Sequence, residues 1–317
     1  MDMEGQVSNT TSLPLPLFTS CCPGWLNFIE KSVPELIPYI STCKSPHMMY
    51  GALVKEFSHL LFNLPGDKIY FTSVMPCVKK RGESDHEAFN RNSILDVDNV
   101  ITTKDLGMIL HMKNINPFDF EPLPFDSPFQ GIDGKGSGAG QLFGGTGGVM
   151  EAAVRTVYEV VTGETLPKFE IEEVRGLDGV KEATIPLYTN NRKKGIPIDL
   201  RVAVVNGLGN AKKLIKKIKD GEKKYDFVEV MACPGGCIGG GGQPSKGDLD
   251  KRLQCVYELD RSLPRRKSHE NPVVQKIYDY CLGEEFGGER AHQLLHVKPI
   301  YGETLVDDND GTTVDVN

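Results

Sequence analysis

The hydrophobic positions of this chain follow two rhythms that take turns along its length. Between Ser45 and Leu64, Met48, Met49, Leu53, Phe57, Leu60 and Leu61 recur at helical spacing behind a Ser45-Pro46 start, which predicts one long helix. The bulky run Ile69-Tyr-Phe-Thr-Ser-Val74 then predicts a strand ending at Met75. Val97 to Thr102 reads as another extended stretch, running into a helix capped near Thr103 that carries Leu106, Met108, Ile109 and Leu110. Pro117 to Gly134 reads as a loop. Beyond it the pattern predicts a helix from Val149 to Val161, a buried strand from Leu200 to Asn206, a basic amphipathic helix from Ala211 to Lys219 and a strand from Tyr225 to Met231. Three more helices are expected near Leu249 to Asp260, Asn271 to Leu282 and Arg290 to His296. Strands alternating with helices argue for α/β sheets covered by helices. The Asp- and Thr-rich residues 301–317 read as a disordered acidic tail.

Composition narrows the class. The 317 residues are 39% hydrophobic and 25% charged, enough for one large domain or two lobes. A net charge of −7 argues against nucleic-acid binding, which leans on excess Lys and Arg. No apolar run reaches the roughly 18 residues of a membrane span, so a soluble protein is expected. The first eleven residues have neither the apolar core of a secretory signal nor the Arg-rich character of a transit peptide.

Eight cysteines change the picture, because five of them fall in three short segments that each read as the end of a strand: Phe18-Thr-Ser-Cys-Cys-Pro-Gly-Trp25, Ser73-Val-Met-Pro-Cys-Val-Lys-Lys80 and Glu229-Val-Met-Ala-Cys-Pro-Gly-Gly-Cys237. Strand ends are where open α/β sheets gather ligands from distant positions. Cys22, Cys77, Cys233 and Cys237 supply the four thiolates that a 4Fe-4S cluster needs, leaving Cys21 beside a ligand. A four-cysteine zinc site is the competing reading, although zinc knuckles come as paired C-x2-C turns close in sequence, not as ligands spread along most of a chain. Disulfides suit these spacings poorly. Cys43, Cys255 and Cys281 read as ordinary buried hydrophobes. The glycine-rich stretch Gly131 to Gly148 admits a phosphate cradle or a tight-packing hinge; its spacing departs from the dinucleotide pattern and no Walker lysine follows.

Together these segments resemble the active-site domain of iron-only (FeFe) hydrogenases. The resemblance rests on Thr19-Ser-Cys-Cys-Pro-Gly-Trp25, Met75-Pro-Cys-Val-Lys-Lys-Arg-Gly-Glu83 and Glu229-Val-Met-Ala-Cys-Pro-Gly-Gly-Cys-Ile-Gly-Gly-Gly-Gly-Gln-Pro244, with support from Phe143-Gly-Gly-Thr-Gly-Gly-Val-Met-Glu-Ala152, Val174-Arg-Gly-Leu-Asp-Gly-Val-Lys-Glu-Ala183 and Lys267-Ser-His-Glu-Asn271. Leu36 to Pro46 and Gly207 to Leu214 look most like green-algal members without accessory clusters.

The resemblance implies an α/β fold of two lobes, each a small mainly parallel sheet covered by helices, with the metal cluster in the cleft between them. Residues 1–130 would form the first lobe, bearing two cysteine signatures, and residues 131–300 the second, with the glycine-rich loop and the third signature. It implies that Cys22, Cys77, Cys233 and Cys237 ligate a 4Fe-4S cubane, with Cys237 bridging to a diiron subcluster bearing carbonyl, cyanide and a dithiolate. Cys21 would carry the last proton and Ser41 would follow it in the relay. Lys80 would donate to a cyanide, and Met75, Met231 and Phe143 would wall the metals, each also readable as plain core packing. Pro46 and His47 would fall at pocket positions, with His47 standing where the family usually has Gln. Family members carry a substantial segment ahead of the first signature, so the implied first lobe is N-terminally truncated, and Glu4 takes no relay role.

The activity implied is reversible reduction of protons to hydrogen with electrons from reduced ferredoxin, after hydrogenase maturation proteins have built the diiron unit. The alternative is a noncatalytic Nar-type iron-sulfur protein acting in cluster assembly; such relatives generally lack the thiol at Cys21. The lysines at 212, 213, 216, 217, 219, 223 and 224 read either as a docking face for an acidic ferredoxin or as a solvated helix face over Leu214, Ile215 and Ile218. By resemblance the compartment is the plastid stroma, with hydrogenosome or cytoplasm as alternatives.

Overall fold

The computed structural model describes residues 15–297 except 87–88, 92–93, 124–125, 127–135, 189–197, 245–246 and 284–285. The expected acidic tail, Glu4 and the start of the glycine-rich loop lie outside the described residues. The strands are β1 Leu17–Thr19, β2 Thr72–Met75, β3 Asn90–Arg91, β4 Ile94–Leu95, β5 Asn99–Thr102, β6 Val180–Leu187, β7 Ile198–Asn206 and β8 Phe227–Met231. The larger sheet has the order β1-β8-β7-β6, parallel except for the antiparallel β6–β7 pair. A smaller parallel pair joins β2 to β5, and β3 with β4 forms a short antiparallel ribbon.

β7 shows why the large sheet forms. Its run Val-Ala-Val-Val alternates faces with period two, so Val202 and Val204 enter one core while Ala203 and Val205 enter the other. One face packs on the helices Pro23–Ser32 and Leu208–Lys219 through Trp25, Ile29, Ala211, Leu214 and Ile215. The opposite face packs on the helix Gly148–Thr162 through Met150, Val154 and Tyr158. A strand buried on both sides needs this nearly continuous apolar run. The small sheet is covered by the helix Pro46–Glu56, which lays Met48 against Phe89, Val97 and Val100. The helix Thr103–Met112, closed by a Thr102–Asp105 capping box, buries none of its residues. Among the described residues, no helix is long and apolar enough to cross a membrane.

Several expectations change. The helix expected from Ser45 to Leu64 breaks at Phe57 (φ −101°, ψ 16°) into Pro46–Glu56 and Ser58–Phe62, where the Phe57 ring enters a core with Ile277, Leu282, Ala291 and Leu294. The helix expected to Leu282 is α-helical over Pro272–Ile277 and closes as a π turn, Tyr278–Leu282. A division of the chain at residue 130 does not follow the sheets either. β1 pairs with β8, and the late segment Pro272–Leu295 packs on the early helix bearing Leu53. Each lobe is thus stitched from both halves of the chain.

Candidate metal centre

β1 and β8 are parallel neighbours, so their carboxyl ends point the same way and deliver Cys21 and Cys22 beside Cys233 and Cys237. Ser20 fixes this alignment: its Oγ donates to Val230 O (2.6 Å) and accepts from Cys22 N (3.1 Å). Cys77 arrives from the end of β2 in the other sheet, and the glycine run after Cys237 brings it in. Gly242 N donates to Pro76 O (2.9 Å). A Cβ on Gly240 would stand 2.2 Å from Pro76 O, and one on Gly242 would stand 3.0 Å from Cys77 N, so only glycine permits the contact. The glycine-rich segment before the helix Gly148–Thr162 serves packing, because Thr146 N donates to Gly235 O (3.1 Å) and Ile238 N to Gly144 O (2.9 Å), bracing the third signature from behind.

Convergence leaves a small cavity between the three signatures. Cys21, Cys22, Cys77, Cys233 and Cys237 line it with Lys80 and Met231, and Pro23, Ala232, Gly236 and Gly240 complete the wall. All eight cysteines are unbridged. Among the described residues, no three His, Cys, Asp or Glu side chains close on a point as a single ion requires. Four thiols around one cavity are the donor set of a 4Fe-4S cluster.

The thiols are electrically unequal. The Cys21 thiol is lowered to about 7 by the hydrogen bond it shares with Cys237 and, against its burial, by the charge of Lys80. The same hydrogen bond, with burial, pushes Cys237 up. Burial raises Cys22 and Cys233, opposed at Cys22 by backbone hydrogen bonds from Ala232, Trp25 and Gly24. A metal would reverse these last shifts by taking the thiolate form.

Lys80, buried at the start of the helix Lys80–Ser84, donates to Cys21 O (2.5 Å) and to Glu83 Oε2 (2.7 Å). Burial disfavours a charged Glu83, but the hydrogen bond from His47 and the charge of Lys80 hold its carboxyl below the usual range.

The other expected residues lie off the cavity lining. Ser41 donates its N–H to Phe18 O (2.8 Å), and its Oγ accepts from Cys43 N (3.3 Å). Pro46 begins its helix, and the His47 ring turns to Ser73 and Glu83. Met75 packs with the small-sheet core, and Phe143 ends the helix Gly138–Leu142 half-buried. Cys43 and Cys255 are exposed, not buried as expected; Cys255 sits on the outer side of a helix whose inward positions are Leu253, Tyr257 and Asp260. Cys281 is half-buried against the Phe57 core.

Sequence reasoning passed over one residue. Glu229, fully buried in β8, accepts from Gly147 N (2.7 Å) and Met150 N (2.6 Å) and so bolts the third signature to a helix N-terminus. A carboxylate inside an otherwise apolar strand was the available clue.

Comparison with known proteins agrees with this geometry. Residues 3–241 match the family described as iron only hydrogenase large subunit, C-terminal domain, and residues 246–298 match iron hydrogenase small subunit. The chain is 46% identical over 294 residues to the NADP-reducing hydrogenase subunit HndD of Solidesulfovibrio fructosivorans, covering 92% of this chain and 48% of that protein. It is 40% identical to iron hydrogenase 1 of Clostridium pasteurianum (90% and 49%) and 34% identical to cytosolic iron-sulfur assembly component 3 of Rattus norvegicus (90% and 59%). The chain therefore spans about half the length of the curated hydrogenases it matches first. The fold superposes on an apo FeFe-hydrogenase HydA1 variant from Chlamydomonas reinhardtii with a TM-score of 0.77 at 46% identity, covering 90% of this chain and 76% of that one. With its cysteine signatures gathered at one cavity and both family matches together spanning nearly its whole length, this chain belongs to the iron-only hydrogenase family.

Proposed function

We propose that this chain is the catalytic domain of a hydrogenase, interconverting protons and hydrogen with electrons from an outside carrier, and that its cavity holds an H-cluster. One observation carries the reading: a fifth thiol, Cys21, shares the cavity with four potential ligands and with the Lys80 ammonium. A purely structural cluster needs four thiols and no more.

Cys22, Cys77, Cys233 and Cys237 would hold the 4Fe-4S cubane, and Cys237 would also reach the diiron subcluster. When bound, the H-cluster supplies the electron-transfer and hydrogen-forming chemistry. The chain's own part is to hold, to dry and to protonate. Met231, Pro23 and Ala232 give the wall its apolar surface and keep water out. Lys80 offers a fixed cation inside a region of low dielectric, where it attracts an anionic ligand far more strongly than in water. Cys21 holds a proton at Sγ beside the Lys80 ammonium, whose charge favours its release.

An acidic ferredoxin is the electron carrier we favour, and maturation proteins would install the diiron unit. Lys212 and Lys213 are exposed on the helix Leu208–Lys219, while Lys216 and Lys219 pair with Asp220 and Glu35. The second reading, a cluster-assembly protein, draws on the 33–35% identity to the cytosolic iron-sulfur assembly relatives. The thiol at Cys21 weighs against it.

Infrared spectroscopy of the protein matured in a host that makes H-clusters is the test. Bands of metal-bound carbonyl and cyanide with hydrogen evolution from a reduced low-potential donor are expected. A protein that binds four irons but never shows those bands or evolves gas belongs to the assembly reading.

A further inference from the structure

We propose that His47 is a positioning residue for the cavity: it grips the Glu83 carboxylate from behind and thereby fixes the Lys80 ammonium beside Cys21. The proposal rests on the H-cluster reading above and goes beyond it, because His47 does not line the cavity.

The argument runs through one oxygen atom. Oε2 of Glu83 lies 2.7 Å from Lys80 Nζ and 2.8 Å from His47 Nε2, so the lysine and the histidine share a single acceptor. Lys80 Nζ also donates to Cys21 O at 2.5 Å, which puts its charge at the cavity. All three side chains are buried, with relative exposures of 7% for His47, 3% for Lys80 and 7% for Glu83. An ionised carboxylate only accepts, so Nε2 of His47 must carry a proton; Nδ1 then faces the Ser73 hydroxyl on β2 at 3.1 Å. The result is a line from Ser73 through His47, Glu83 and Lys80 to the backbone beside the first two cysteines. Burial alone would push Glu83 toward its neutral form, and the hydrogen bond from His47 is the foremost of the influences that keep it charged.

Lys80 cannot hold this position unaided. Its stem is long and flexible, and the helix that carries it has five residues. Glu83 sits on the same short helix, three residues on, so the pair could swing as a unit. His47 comes from a different and longer helix, Pro46–Glu56, and Ser73 from β2. They anchor the pair to elements that do not move with it. A support of this kind is what orients groups around a metal centre, and its loss commonly costs about 10- to 100-fold in activity or metal affinity.

His47→Leu removes the donor at similar volume, and His47→Gln keeps an N–H that reaches Glu83. In protein labelled with 15N-lysine and not yet matured, the buried Lys80 Nζ should give a slowly exchanging signal, assigned by its loss in Lys80→Met. That signal should persist in wild type and His47→Gln and broaden away in His47→Leu. In matured protein the cyanide bands should shift in His47→Leu and hydrogen evolution should fall about 10- to 100-fold, while His47→Gln restores both. Ser73→Ala, a milder change should the leucine variant fail to fold, should give a smaller change of the same sign. An unchanged Lys80 signal in folded His47→Leu, or in Ser73→Ala if only that folds, overturns the proposal. Absence of carbonyl and cyanide bands in wild type would instead sink the cofactor reading, and the Lys80 signal would still decide the role of His47.

Discussion

Replacing Gly240 by alanine tests how the third signature is seated on the second. The added Cβ would stand 2.2 Å from Pro76 O and 3.1 Å from Pro76 C, both backbone atoms that cannot rotate away. Real Cβ atoms essentially never come within 3.0 Å of such a neighbour, so the two loops must part by about 0.8 Å. Metal–ligand distances tolerate about ±0.2 Å, and a misplacement near 1 Å can cost about 100-fold in a catalytic site. Cys77 follows Pro76 directly and Cys237 precedes Gly240 by three residues, so the strain falls on the two proposed ligands whose elements the contact joins. Overpacking of this sort destabilises a fold by about 1–3 kcal/mol, too little to unfold the large-sheet core. After reconstitution with iron and sulfide, Gly240→Ala should therefore melt a little earlier than wild type yet hold only a small fraction of its iron. Gly241→Ala is the built-in control, since a Cβ there would meet only the Val78 side chain at 3.9 Å. Full iron loading in Gly240→Ala, or equal losses in both variants, would refute the reasoning.

Cys21→Ser should bind iron like wild type and lose nearly all hydrogen evolution, because a hydroxyl titrates far above a thiol; comparable gas production would remove Cys21 from proton transfer. Cys233→Ser should lower iron content itself, as counted by colorimetric assay, whereas Cys255→Ser on its exposed helix face should not. Exchanging Lys212 and Lys213 for Glu should slow ferredoxin-driven turnover at low salt and leave turnover with a small neutral donor intact; equal rates with ferredoxin would dismiss this face as a dock. Glu159 is lowered to about 2, chiefly by its hydrogen bond from Lys267. Its depressed value means that the stability it contributes is complete above pH about 4.5 and drains away as pH falls toward 2, so Lys267→Met should flatten that acid limb in melts at pH 3 and pH 6. An acid limb as steep as that of wild type would count against the pair.

Much of the fold was written in local patterns. The apolar runs of β7 and β8, the strand at Met75 and the helix after Thr102 announce themselves through period and capping alone. β6 does not: Pro186 interrupts its residues, and its buried set includes Lys181, whose ammonium finds Thr146 O and Gly176 O only in the folded chain. The helix Pro23–Ser32 hid behind a Pro-Gly start, although Trp25 and Ile29 mark its inner face. The break at Phe57 and the interleaving of the lobes are tertiary effects, set by partners more than 200 residues away in sequence. At the site, the convergence of the five thiols was legible because cysteines in strand-end signatures have few other uses. The true neighbours of His47 were not, since a buried histidine reads the same whether it faces a metal or a carboxylate.

The seat of β1 beside β8 also bears on biosynthesis. Ser20 and Val230, which touch in the finished molecule, are 210 residues apart. At roughly 5–20 residues per second, the first two thiols emerge from the ribosome about 10–40 s before the strand that gives them a place exists. During that interval the nascent chain offers reactive sulfur with no cleft to shelter it. The full set of thiols exists only once translation has passed the last signature, so a metal core that needs all of them would be delivered late in synthesis or after it.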